Sequence, residues 1–165
     1  YERSFTAHKA MGRPVNTLTP THHNYTYNCP DLLTDGLRGE GPYNSGDFAG
    51  WYDKPFEAVV DMDGSSYDRV TLSTIAFRHD YIFGPMDMTV YTSEDGENFT
   101  EVAHADYPIT GFIDDGNECE EHTLTFPETT AKYLKVTASC IEALPDWHPG
   151  KGSPGFLFVD EVVVL

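Results

Sequence analysis

Apolar residues in this chain recur at every second position over short runs, and no segment shows a convincing helical period. The run Phe56-Glu57-Ala58-Val59-Val60-Asp61-Met62 alternates over most of its length and stops at Asp63-Gly64, as a strand ending in a turn does. Val15 to Leu18 reads as a first short strand. Arg69 to Arg78 carries Val70, Leu72, Ile75 and Phe77 among Thr and Ser, a β-branched density that prefers strand over helix. Its alternation slips near Ser73-Thr74, as a bulge would make it. Met86 to Ser93 is a further strand, and Ser93-Glu94-Asp95-Gly96-Glu97-Asn98-Phe99 predicts a tight turn into Phe99 to Ala103. His122 to Phe126 and Ala131 to Ala138 alternate again, and Phe156 to Leu165 is almost continuously apolar, the pattern of a strand covered on both faces. About eight such strands, separated by Gly, Pro and Asp, predict an all-β fold, an antiparallel jelly-roll β-sandwich.

At 165 residues the chain suits one domain, 1–165, with a real core, and 39% hydrophobic and 13% aromatic residues supply it. Its formal net charge of −17, from 27 acidic against 10 basic residues, opposes binding to phosphate backbones or anionic lipid. No basic patch offsets it, so neither nucleic acid nor membrane is expected as a partner. There is no apolar run of about 18 residues. The chain begins abruptly at Tyr1, which predicts a module cut from a longer protein. Cys29, Cys119 and Cys140 fit no zinc or CxxC spacing, leaving open one disulfide with one free thiol.

The stretch Leu32 to Trp51, with five glycines and one proline, is a loop framed by apolar residues that look anchored. Asp35-Gly36 allows a turn with positive φ while a carboxylate and backbone carbonyls point inward, the oxygen-only environment that Ca²⁺ prefers. On local composition alone Asp35 equally caps an ordinary turn.

Four segments in order carry a resemblance: Leu33-Thr34-Asp35-Gly36 followed by Trp51, Tyr91-Thr92-Ser93-Glu94-Asp95-Gly96-Glu97-Asn98-Phe99, Ala131-Lys132-Tyr133-Leu134-Lys135-Val136 and Phe158-Val159-Asp160-Glu161-Val162. Together they resemble the coagulation-factor type C or discoidin domain, a galactose-binding-domain-like fold. The chain is most similar to family 32 carbohydrate-binding modules and to the C-terminal modules of bacterial family 20 glycoside hydrolases. The resemblance implies a β-sandwich with its loops gathered at one end over a structural Ca²⁺. Carried over, Asp35 and Glu161 would give carboxylates, Leu32 and Arg38 backbone carbonyls, and Ser45 a hydroxyl. The loop between Asp35 and Trp51 is longer than in that family. Trp51 is implied to be core.

The same resemblance implies a non-catalytic module of a secreted bacterial glycoside hydrolase, extracellular, cell-surface or periplasmic. It would bind terminal galactose or N-acetylhexosamine of a glycan while linked to its parent catalytic domain. Sugars are gripped by an aromatic face against ring C–H groups and by planar donors and acceptors for the hydroxyls. Arg78, His79, Asp80, Tyr81 and Phe83 stand where the family carries part of its pocket, Phe112, Asp114 and Asp115 could face them, and Trp147 and His148 could complete a wall. Against this stand bland readings: Arg78 paired with Asp80 in a solvated loop, and Trp147 folded over the calcium loop. His8, His22 and His23 could be read as a metal cluster, but no carboxylate or further His sits at ligand spacing and adjacent histidines do not easily chelate one ion, so they are read as loop decoration. No nucleophile elbow, P-loop, HExxH or dinucleotide fingerprint is present, and chance carboxylate pairs in so acidic a chain are no evidence of a glycosidase. The chain is therefore read as a non-enzyme. The competing readings are a structural accessory domain packed on its parent without binding sugar, and an adhesive module using Phe83 as an apolar spike.

Overall fold

A computed structural model describes residues 5–113 and 117–165. Among them nine strands and two 3₁₀ turns follow one another: β1 (Val15–Thr17), a turn at Asp31–Thr34, β2 (Ala49–Tyr52), β3 (Phe56–Asp61), β4 (Ser66–Ala76), a turn at Arg78–Asp80, β5 (Asp87–Ser93), β6 (Thr100–Asp106), β7 (Glu118–Thr130), β8 (Tyr133–Ala138) and β9 (Phe156–Val164). They form a five-stranded sheet, β1-β3-β8-β5-β6, and a four-stranded sheet, β2-β9-β4-β7, each antiparallel throughout. This is the expected β-sandwich.

Alternation dictates the core. Ala58 and Val60 of β3, Met88 and Val90 of β5, and Leu134 and Val136 of β8 share one buried cluster with Val70 and Leu72 of β4 and Leu157 and Val159 of β9. Trp51 belongs to it, fully buried, its ring edge-on to Phe56 at 4.8 Å and its indole N–H donating to the Thr19 carbonyl at 3.3 Å. The indole therefore fills the sandwich.

The four-stranded sheet is covered on its outer face as well. Phe48, Ile75, Ile82 and Phe158 make a second buried cluster, with Tyr25, Tyr43, Phe77 and Phe156 packed against it, so the long β1–β2 segment acts as a lid on β4 and β9. That explains the near-continuous apolar character of β9. β2 escapes sequence reading because Gly50 looks like a loop residue. A Cβ there would lie 2.8 Å from the Phe158 ring, so the glycine is required by close packing inside a strand.

Ser73 of β4 faces Glu161, but Thr74 faces Val159, so Asp160 is an extra residue in β9. The slip expected near Ser73-Thr74 marks the right place, and the bulged strand is the partner. A bulge breaks strict alternation. Its consequence is that consecutive carboxylates, Asp160 and Glu161, are both buried, at 2% and 0% exposure. The disulfide left open by the sequence does not form, since all three cysteines are free thiols.

Candidate functional site

The bulge aims its two carboxylates at the loop that follows the first 3₁₀ turn. Gly39 N–H donates to Asp160 Oδ2 at 2.7 Å and Gly36 N–H to Glu161 Oε1 at 3.1 Å, with Gly36 in the left-handed region at φ 80°. The glycine loop is thus fastened to β9. His8 completes the fastening, which contradicts its reading as loop decoration. Its side chain is fully buried and its Nε2 lies 2.7 Å from Glu161 Oε1, while its Nδ1 receives the N–H groups of Ala10 and Val164 at 3.2 and 3.4 Å. An Nδ1 that accepts two N–H groups carries no proton, so Nε2 carries it and donates to Glu161.

Burial, against the pull of His8 and the Gly36 N–H and aided by the Asp35 charge, pushes the Glu161 carboxyl up to about 7. Burial likewise raises Asp160. Glu161 Oε2 is buried without a partner among the described residues. Asp35 is exposed, and its Oδ1 accepts Leu37 N–H at 2.8 Å, an Asx turn beside the same carboxylate. An orphaned buried oxygen with a second carboxylate nearby fits one hard cation. The described residues hold no group of three or more His, Cys, Asp and Glu suited to a metal, so most of any shell would be backbone carbonyls.

The other nominated ligands divide. Leu32 is buried in the 3₁₀ turn packed on β9. Arg38 sends its guanidinium to Glu121. Ser45 is exposed, its hydroxyl accepting Asp47 N–H at 3.3 Å, and no hydrogen bond among the described residues ties it to Asp35 or Glu161.

At the loop end of the sandwich, three connections converge. Arg78, His79, Phe112, Ile113, Trp147, His148 and Pro149 line an open pocket of about 170 Å³. Taking roughly 30 Å³ per water, that is about six waters' worth of space, the scale of a single sugar ring and below the roughly 300–1,000 Å³ of larger ligand sites.

The pocket's rigidity comes from local bonding. His148 is 4% exposed; its Nδ1 accepts Gly150 N–H at 2.9 Å and its Nε2–H donates to the Arg78 carbonyl at 2.6 Å. It braces the second 3₁₀ turn against the β8–β9 loop, with no nitrogen left for a ligand. Tyr81 caps that turn at φ 68°, its ring edge-on to His148 at 4.9 Å. A Cβ on residue 150 would stand 2.2 Å from the Tyr81 ring, so only glycine fits beneath it. Tyr81 buttresses the pocket from outside its lining.

The apolar wall is Trp147, half-buried, its indole N–H held by the Gly111 carbonyl at 3.2 Å, with the Phe112 ring edge-on at 5.2 Å. Phe112 itself is 73% exposed. Trp147 therefore lines the pocket and is not folded over the glycine loop between Leu32 and Trp51. Phe83, expected as an exposed spike, is 1% exposed and packs behind Trp147 with Ile141 and Leu144, which removes the adhesive reading's anchor.

The polar side is a charge pair. Arg78 bonds Glu120 of β7 at 2.5 Å, not Asp80, and its Nε is buried without a partner among the described residues. His122, ahead of Arg78, holds the Glu120 carboxyl below the usual range against the opposing effect of burial. Sequence reading missed Glu120 because its partner lies 42 residues away. Asp114 and Asp115 lie outside the described residues. A larger groove of about 530 Å³ runs along the five-stranded sheet past Val15, Asn16, Leu18, Asp61, Asp95 and Tyr133, with no basic or imidazole group in its lining.

No protein-family profile and no curated protein matches the chain. Its fold is shared with solved structures. Chitosan-binding module 1 of a chitosanase/glucanase from Paenibacillus sp. IK-5 superposes with TM-score 0.56 at 17% identity, over 97% of this chain and 99% of that one. CBM32-3 from a family 31 glycoside hydrolase of Clostridium perfringens gives 0.57 at 17%, over 97% and 94%. The lectin domain of lectinolysin, solved with Lewis B antigen, gives 0.58 at 18%, over 98% of both.

Proposed function

We propose that this chain is a non-catalytic carbohydrate-binding module that holds one terminal neutral sugar, galactose or an N-acetylhexosamine, in the pocket between Arg78 and Trp147. This reading stands on convergence: of the ten residues singled out from sequence for a sugar pocket, Arg78, His79, Phe112, Trp147 and His148, drawn from three loops, line one concavity of monosaccharide size. Trp147 and Phe112 offer an aromatic wall for ring C–H groups. Arg78 offers N–H donors, and its orphaned Nε gains from any acceptor a sugar brings. Because Glu120 already neutralises Arg78, the pocket has little to gain from a carboxylate and suits an uncharged ring. Similarly folded structures include a chitosan-binding module and a lectin domain, which supports the class of ligand.

In the same module, between the glycine loop and β9, we place a structural Ca²⁺ held by Asp35, Glu161 and backbone carbonyls of the loop from Leu32 to Arg38. It would supply the positive charge that two neighbouring carboxylates lack, and so clamp the loop to β9. The module would belong to a larger secreted bacterial glycosidase, targeting it to glycans at or outside the cell surface.

Calorimetric titration with galactose, N-acetylgalactosamine and N-acetylglucosamine tests the reading. Dissociation constants between about 1 μM and 1 mM are expected for so few contacts. Trp147→Ala should weaken binding by roughly tenfold or more, a loss of at least about 1.4 kcal/mol, with the β-sheet signal unchanged. Absence of heat with every sugar at millimolar concentration, calcium present, would leave the structural-accessory reading in its place.

A further inference from the structure

In the long β1–β2 segment, Tyr25 and Tyr43 cover the outer cluster while staying only partly buried, and Tyr27 is exposed. Tyr43 packs edge-on to Phe77 at 5.4 Å, and Phe77 immediately precedes the pocket residue Arg78. Tyr25 continues the row, 6.1 Å from Tyr43. Tyr27 follows, 43% exposed, its hydroxyl donating to the Asn44 carbonyl at 3.3 Å. Its backbone sits in the left-handed region at φ 43°, a conformation bulky side chains seldom adopt. Nothing in the core requires that ring.

The row also lies close to the 3₁₀ turn from which the pocket takes Arg78 and His79. The Tyr43 hydroxyl is pushed up by burial first, then by Asp80 of the pocket's own 3₁₀ turn, then by Tyr25 and Tyr27, so these groups lie within one another's fields. Phe77, Arg78, His79 and Asp80 are consecutive residues. Tyr43 thus stands beside the turn that carries the pocket residues Arg78 and His79.

We propose that these tyrosines form a second sugar subsite contiguous with the pocket, so that the ligand is a neutral oligosaccharide and not an isolated monosaccharide. The inference rests on the pocket reading above. Phenol rings stack on pyranose C–H faces while their hydroxyls and the Asp80 carboxylate bond sugar hydroxyls. Asp80 and the net charge of −17 turn away uronate, sulfate or sialate on the following sugar units.

The test compares galactose and N-acetylglucosamine with the neutral tetrasaccharides lacto-N-neotetraose and tetra-N-acetylchitotetraose, using the 165-residue chain, Tyr43→Phe and Tyr27→Ala. Tyr27 is exposed and Tyr43→Phe keeps the ring, so both variants retain the fold. The expected result is a tetrasaccharide bound roughly tenfold tighter than its own terminal sugar by the unmodified chain. That advantage shrinks by several-fold in Tyr27→Ala and less in Tyr43→Phe, with monosaccharide affinity unchanged. Equal affinity for tetrasaccharide and terminal sugar in the unmodified chain, or an advantage that both variants keep, overturns the subsite while leaving the pocket standing. Failure of all four sugars to bind overturns both.

Discussion

His148 and Trp147 are neighbours in sequence with opposite duties. Both nitrogens of His148 are committed to backbone groups, so its loss should be felt in stability: His148→Ala orphans the Gly150 N–H and should cost about 1–3 kcal/mol in urea unfolding. Trp147→Ala should instead be felt in affinity. Asp95 offers a pH-dependent counterpart in the β5–β6 turn. Its carboxylate accepts from the Asn98 side chain at 2.7 Å and from the backbone N–H groups of Asn98 and Glu97 at 2.8 and 2.9 Å, which hold its pKa well below the ordinary value. A depressed carboxyl pKa gives stability that is present above the unfolded value of about 3.9 and lost as the pH falls below it. The stability gap between the unmodified chain and Asp95→Ala should therefore be constant above roughly pH 5 and close on further acidification. A gap that widens in acid would contradict that assignment. Sequence foresaw the turn, because its Ser-x-Asp-Gly pattern is local. It could not foresee His8, whose partner Glu161 lies 153 residues away.

Among the elements, β9 does the most to relate fold to site. Its apolar run was legible as a doubly covered strand, and the slip opposite Ser73-Thr74 was legible as a bulge, because both are patterns in side-chain order. That the extra residue is Asp160, and that it turns two adjacent carboxylates toward the glycine loop, needed the pairing register. β2 was not legible, since glycine in a packed strand and glycine in a turn look alike in one dimension. The calcium proposal belongs at this scale. At a Ca²⁺ concentration of 100 times its dissociation constant, the ion should add about 2.7 kcal/mol of stability. For a chain of this length that corresponds to a rise in melting temperature of roughly 5–11 °C, reversed by chelator. Asp35→Asn should abolish most of the rise while leaving the metal-free melting temperature nearly unchanged. Melting curves that ignore both calcium and chelator would remove the ion, leaving the Gly36, Gly39 and His8 bonds as the whole fastening.

For the whole molecule, two opposed sheets carry three loops to one end, and the Arg78–Glu120 pair at the pocket is internally neutral within an acidic chain. The sandwich could be read from periodicity because each strand reports its own inward face. The pocket could be read only in part: residue types suited to sugars are visible in sequence, but the β6–β7 and β8–β9 loops meet the second 3₁₀ turn through contacts that no local pattern encodes. Backbone amide spectra of the nitrogen-15-labelled chain, followed as galactose or N-acetylglucosamine is added, show directly whether the pocket between Arg78 and Trp147 takes the sugar. The largest shifts should fall at residues 78–81, 111–113 and 147–150. Shifts concentrated along the groove beside Asp61 and Tyr133, or spectra unmoved by either sugar at millimolar concentration, would contradict the pocket reading.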